Sequence, residues 1–217
     1  MTNAYLEGLQ TTLTLFVVTL GGSAILTFIL VWLLRYKWLA YVIRIYVYIM
    51  RATPLLLQII FIFYGLPFFN IVFDRWMAAA IAFILNYAAY FAEILRGGII
   101  NLDKGQSEVG QVLGLPPLFV FRKIILPQAI INTFPAISNE VLTLIKDTAL
   151  ISVVGLSDLL KVSRSLVNAT ATFIPFVTVG AIYLIMNAFL SYILAVIEKR
   201  LLRKKGIGYV DNSDQFK

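Results

Sequence analysis

The chain has 217 residues, of which 60% are hydrophobic and 13% charged, with a net charge of +7 and a mean hydropathy of +0.89. A soluble domain of that composition would expose far too much apolar surface, so the chain is expected to sit in a membrane. It has no cysteine and no histidine, which excludes disulfides, thiol nucleophiles, the usual zinc sites and histidine acid–base chemistry.

The first predicted span is residues 11–34, an uncharged run of 24 residues, enough to cross a hydrocarbon core of roughly 30 Å. No Lys or Arg precedes Arg35, so the run lacks the basic flank of a cleaved signal peptide. The N-terminus is therefore expected outside, as part of the mature protein. The second span is 52–73, bracketed by Pro54 and Pro67. Proline removes a backbone donor and disfavours helical geometry in the residue before it, so Thr53 should mark a break. The break reads either as a packing kink or as part of a gate.

The third span, 76–98, carries Ala78, Ala79, Ala80, Ala82, Ala88, Ala89 and Ala92. Small side chains let membrane helices approach closely, which predicts a central position in the bundle. Glu93 and Arg96 stand three apart at its end, in pairing register. Glu93 is either a structural ion-pair partner or part of a substrate pathway.

A polar segment over 103–127 follows, with Val109, Val112 and Leu113 as a short apolar helical stripe. Asp103 is its expected N-cap, and Gly114 with Pro116 and Pro117 its expected end. A helix of this kind either lies on lipid or docks on a partner, and Glu108 opposes the lipid reading because anionic leaflets repel carboxylates.

The fourth span, 128–145, is polar for its depth, with Asn139 and Glu140 past its middle and Lys146 and Asp147 at its end. A charge inside a span costs at least about 2.5–3.5 kcal/mol, so Glu140 must face protein, water or a ligand. It reads equally as an acceptor for a substrate ammonium or as the partner of Lys146 or an arginine. Residues 148–172 suit a short helix at the outer interface, and the fifth span is 174–197, with Pro175 near its start. The expected fold is all-α: a single polytopic membrane domain of five transmembrane helices.

Basic residues orient it. Arg35, Lys37, Arg44, Arg51, Arg96, Lys104, Arg122, Lys123 and the C-terminal group Lys199, Arg200, Arg203, Lys204, Lys205 and Lys217 fall on one side of the five spans. Arg75, Lys146, Lys161 and Arg164 fall on the other. The positive-inside bias puts 103–127 and the C-terminus in the cytoplasm. Juxtamembrane basic clusters meet anionic lipid, so no nucleic-acid partner is expected. No G-x-x-x-x-G-K-[ST] sequence occurs, so this chain does not bind ATP by that route.

Residues Glu108 to Pro127 read EVGQVLGLPPLFVFRKIILP. The placing of Glu108, Gly114 and Pro127 resembles the EAA loop of ABC importer permeases, with Val109 and Gly110 where two alanines are usual. Arg51-Ala-Thr-Pro-Leu-Leu-Leu-Gln58 is similar to the R-G-T-P-L-L-x-Q segment of the polar amino acid branch of type I importers (the histidine, glutamine, arginine and cystine type). The stretches Asn86 to Gly98, Leu126 to Ala129 and Lys146 to Ser152 resemble its later segments, in the same order.

The resemblance implies the type I permease fold and coupling to an ATPase through Glu108, Gly110, Gly114, Leu115 and Pro127. It also implies a substrate pathway involving Glu140, Asn139, Glu93 and Lys146, with no catalytic residue, metal or cofactor in this chain. ATP and magnesium would be bound by a cytoplasmic ABC ATPase dimer. The other implied partners are a second permease subunit (the same chain or a paralogue), an extracytoplasmic binding protein, an amino acid substrate and membrane lipid. The rival reading is a gated channel or carrier without an ATPase.

Overall fold

A computed structural model describes residues 2–103 and 105–204, the last of these by its backbone only. Of the residues used for orientation, Lys104, Lys205, Lys217 and the side chain of Lys204 lie outside that description. In chain order the helices are α1 (Thr2–Leu33), α2 (Lys37–Ala52), α3 (Leu55–Ile60), α4 (Arg75–Ile100), α5 (Gly105–Val112), α6 (Pro117–Val120), α7 (Leu126–Asp147), α8 (Leu159–Thr170) and α9 (Ile174–Lys204). A π-helical turn, Phe61–Gly65, and a 3-10 turn, Leu66–Phe69, prolong α3. A second π-helical turn, Phe121–Ile125, joins α6 to α7. Among the described residues there is no strand.

Three helices among the described residues are long and apolar enough to cross a membrane: α1, α4 and α9. A fourth crossing is available if α2 and Leu55–Phe69, bent by 106° at their junction, act as one. The helix over the fourth predicted span, α7, is 22 residues long but too polar to qualify by composition.

The centre of the bundle is α4. All seven of its alanines from Ala78 to Ala92 are buried, and Phe83 and Tyr87 fill the space they leave. The small side chains allow close crossings on both flanks. A Cβ at Gly22 of α1 would meet Ile84, and one at Gly98 of α4 would meet Thr133 of α7. Thr27 Oγ1 also donates to the Ala88 carbonyl across the α1–α4 crossing, at 3.3 Å. Dispersion and such polar contacts hold membrane helices together where lipid removes the hydrophobic drive. The central position expected from the alanines is the one observed.

The basic residues Lys37, Arg44 and Arg51 that follow the first predicted span lie on helix α2. Ile43 and Val47 bury against α4, and the Tyr46 hydroxyl donates to the Leu85 carbonyl there. Read for charge alone, the segment concealed its helical periodicity. Helix α1 also starts at Thr2 rather than near residue 11. Gly8 permits this, because its bare backbone packs on Asp158 and Leu159, where a Cβ would stand 3.1 Å from backbone atoms.

Thr53 is extended (φ −113°, ψ 143°) and ends α2, as Pro54 requires. A break at membrane depth frees carbonyls that lipid cannot satisfy. Here two amides satisfy them. Gln58 Nε2 donates to Met50 O, Thr53 O and Thr53 Oγ1 at 2.8–3.2 Å, and Asn86 Nδ2 donates to Met50 O at 3.0 Å and Gln58 Oε1 at 3.1 Å. The break is thus pinned to α4.

Candidate functional site

The polar segment after α4 forms a helix-turn-helix built on two glycines. Asp103 Oδ1 takes the Gly105 N–H at 2.9 Å and opens α5. Gly114, at φ +67°, closes it: the Leu115 N–H reaches Gly110 O at 2.9 Å and the Gly114 N–H reaches Gln111 O at 3.0 Å. This pair is the Schellman arrangement, for which glycine carries no side-chain penalty. Helix α5 is eight residues long.

Gly110 is buried against α6, and a Cβ there would lie 2.6 Å from Val120 Cγ2. Its small size therefore serves a contact within the chain. The opposite face is bare: Val109, Val112 and Leu113 are 58%, 87% and 67% exposed, and Glu108 is exposed beside them. Leu115 is half-buried beside Arg35, and Pro127 is exposed in the first turn of α7.

Two features tie this segment to the bundle. Gln106 and Gln128 exchange reciprocal amide hydrogen bonds at 3.0 and 2.9 Å, joining α5 directly to α7. The Arg35 guanidinium lies 4.8 Å from the Trp32 ring centre and 5.4 Å from that of Phe121, clamping the end of α1 to the π-helical turn. Movement of α5 thus has a direct route to α7.

Helix α7 leads to a cavity of about 450 Å³ walled by the α2–α3 break, α4 and α7. Glu140, Thr143 and Asp147 enter from α7, Tyr87 and Tyr90 from α4, and Arg51 from the break. Asp147 Oδ2 accepts the Tyr87 hydroxyl at 2.8 Å. The charges acting on Glu140 are those of Arg51 and Asp147, and among the described residues Glu140 makes no ion pair. Arg51 also lines an adjoining cleft of about 330 Å³ with Arg44, Glu93 and Arg96. There Arg96 holds Glu93 through two hydrogen bonds of 2.7 and 2.6 Å, and Arg51 stands 3.7 Å from the same carboxylate.

Residues 23–203 match the family described as the binding-protein-dependent transport system inner membrane component. The chain belongs to that family. The permease is 36% identical over 200 residues to the arginine transport system permease protein of Bacillus subtilis strain 168, covering 90% of this chain and 91% of that one. It is also 36% identical over 230 residues to the octopine transport system permease protein of Rhizobium meliloti, covering 98% and 92%. Among solved structures, an amino acid ABC transporter crystallised with histidines superposes with a TM-score of 0.83 at 32% identity, covering 92% and 94% of the two chains. The MetNI methionine ABC transporter in an inward-facing conformation shares the fold, with a TM-score of 0.76 at 17% identity over 93% and 97%.

Against that fold the sequence-derived residues sort clearly. The permease brings Glu108, Gly110, Gly114 and Leu115 together around α5, with Pro127 at the base of α7. It places Glu140 in the larger cavity and Glu93 in the adjoining cleft, bound by arginine. Asn139 and Lys146 are exposed on α7 and line neither space. Arg51, Tyr87, Tyr90 and Asp147 were missed as site residues. The available signal was the seven-residue interval from Glu140 to Asp147, which puts both carboxylates on one face of a helix.

Proposed function

We propose that this permease is the membrane-spanning half-channel of an ATP-driven amino acid importer, with a second permease completing the pathway and a separate ATPase supplying the energy. The carrying observation is α5, whose glycine-shaped inner side is fixed to α6 and α7 while Val109, Val112 and Leu113 remain bare. That face suits a groove on a soluble partner. The relatives that transport arginine and octopine, and the structural neighbour crystallised with histidines, support an amino acid as cargo.

In this reading α1, the bent α2–α3 pair, α4, α7 and α9 make five crossings, with the N-terminus outside and α5 and the C-terminus in the cytoplasm. The basic asymmetry supports that orientation. The exposed Leu184, Ile185 and Phe189 of α9 face lipid or the second permease. An extracytoplasmic binding protein delivers substrate to the cavity, and Glu140 receives its ammonium group. ATP and magnesium act in the ATPase. Its closure moves Asp103–Pro116, and nucleotide and loaded binding protein shift the permease between conformations by favouring one of them.

Uptake by vesicles holding the permease, its ATPase and its binding protein tests this. Labelled amino acid should accumulate only with ATP inside the compartment that contains the ATPase. Equal flux without the ATPase would make the chain a channel.

A further inference from the structure

The end of α1 and the turn into α7 enclose an apolar groove that the transport reading leaves unused. Phe28, Ile29 and Trp32 form one wall and Leu118, Phe121 and Leu126 the other, around about 480 Å³. The Trp32 and Phe121 rings meet edge-on, with centres 6.1 Å apart. Arg122 is the charged residue on the lining, and it is exposed. The Arg35 guanidinium lies over both rings at the same rim. Stacking occupies its flat faces and leaves its N–H donors, which point outward in the plane, for another acceptor. Among the described residues neither arginine forms an ion pair. The groove thus has an apolar floor and two positive charges at its rim, and no carboxylate lines it.

We infer that the groove holds one anionic phospholipid, with an acyl chain between α1 and the α6–α7 turn and its phosphate between Arg35 and Arg122. The apolar surface continues from the groove along α1, where Val18, Gly21, Ile25 and Phe28 are exposed on the stripe that ends at Trp32. From Val18 to Trp32 the helix rises about 21 Å. That exceeds half of a hydrocarbon core of roughly 30 Å, so one chain can lie along it from headgroup to mid-bilayer. A Cβ at Gly21 would have no atom within 4 Å, which leaves room for the chain there. Trp32, three residues before Arg35, marks the headgroup level, where tryptophan is enriched. Basic pockets between membrane helices on the cytoplasmic side take anionic headgroups. The orientation proposed above supplies only the choice of leaflet; the apolar floor and the two cations stand without it. A zwitterionic lipid would bring its own cation to a rim that already carries two, and a soluble anion would leave the floor uncovered.

The test places the purified permease–ATPase complex in vesicles of phosphatidylcholine and phosphatidylglycerol, with bromine on the upper acyl chain of one lipid or the other in both leaflets. Bromine quenches indole fluorescence at short range, and subtracting the signal of a Trp32→Phe complex isolates Trp32. At equal mole fraction and low salt, phosphatidylglycerol should occupy the groove at least about tenfold more strongly than phosphatidylcholine, since each arginine near the surface contributes about fivefold. Arg122→Gln leaves the Arg35 stack in place, so the complex should assemble normally and the preference should fall by about fivefold. Arg122→Lys should retain it. Millimolar inorganic phosphate should not displace the lipid. Equal quenching by both lipids, an unchanged preference in Arg122→Gln, or no quenching by either because protein covers the groove overturns the proposal. Displacement by inorganic phosphate overturns the lipid assignment in favour of a free anion. Because both leaflets carry the label, none of these outcomes depends on orientation, and the vesicle uptake experiment decides the importer reading separately.

Discussion

Gly110 offers the sharpest perturbation of the coupling segment. An alanine there would put its methyl group 2.6 Å from Val120 Cγ2 and 3.2 Å from Cγ1. Val120 cannot swing aside cheaply, because a β-branched side chain in a helix has one strongly preferred rotamer and this one is buried. Overpacking of this kind costs about 1–3 kcal/mol. At about 1.4 kcal/mol per tenfold, that shifts the seating of α5 on α6 by roughly five- to a hundred-fold. The helix bundle lies away from this contact and should keep its melting temperature. Gly110→Ala should therefore retain basal ATP hydrolysis in the assembled complex and lose most substrate stimulation. Val120→Ala removes the obstructing methyl groups, so the double variant should recover stimulation that Gly110→Ala lacks. Such non-additivity is what contacting residues show in a double-mutant cycle. Full stimulation in Gly110→Ala, or additive losses in the double variant, would refute the argument that α5 acts through this contact.

Other outcomes follow from the same geometry. Gly114→Ala meets no neighbouring atom but forces a left-handed residue (φ +67°), at a cost of about 1–2 kcal/mol, and should lower stimulation; unchanged stimulation would show that the turn is dispensable. Gln58→Leu leaves a carbonyl of the α2–α3 break unpaired, about 1–3 kcal/mol, and should reduce the melting temperature of the purified complex by several degrees. Glu140→Gln should weaken transport while melting temperature and basal ATPase activity hold; a large fall in melting temperature with normal transport per folded complex would make Glu140 a structural residue instead. Cysteine placed at exposed Val112 should react only from the cytoplasm, and at exposed Asn3 only from outside.

The legible parts of the fold were those encoded locally. The alanine run announced a helix that others could approach closely, and α4 is that helix. Pro54 announced the break at Thr53, Gly114 the end of α5, and the spacing of Glu93 and Arg96 their ion pair. The contacts that sequence could not show are those made across long separations. Tyr87 and Asp147 meet across sixty positions, and Asn86 reaches back to the Met50 carbonyl. Arg51 read as one more cytoplasmic base because nothing local reveals that it lines a cavity together with α4 and α7. Gly110 also packs within the chain, against Val120, ten residues on. Helix α2 was hidden for another reason: its basic residues were read for charge alone, although Lys37, Arg44 and Arg51 recur every seven positions along one helical face.

The central claim is that transport through this permease is driven by a separate ATPase acting through α5. Its most direct measurement is labelled amino acid uptake in vesicles containing permease, ATPase and binding protein, with wild-type α5 and with Val112→Glu on its bare face. Accumulation against a gradient that needs ATP, and is lost in Val112→Glu while the bundle still melts as the wild type does, is the predicted result. Uptake that proceeds without ATP, or accumulation unaffected by a charge at Val112, would contradict it.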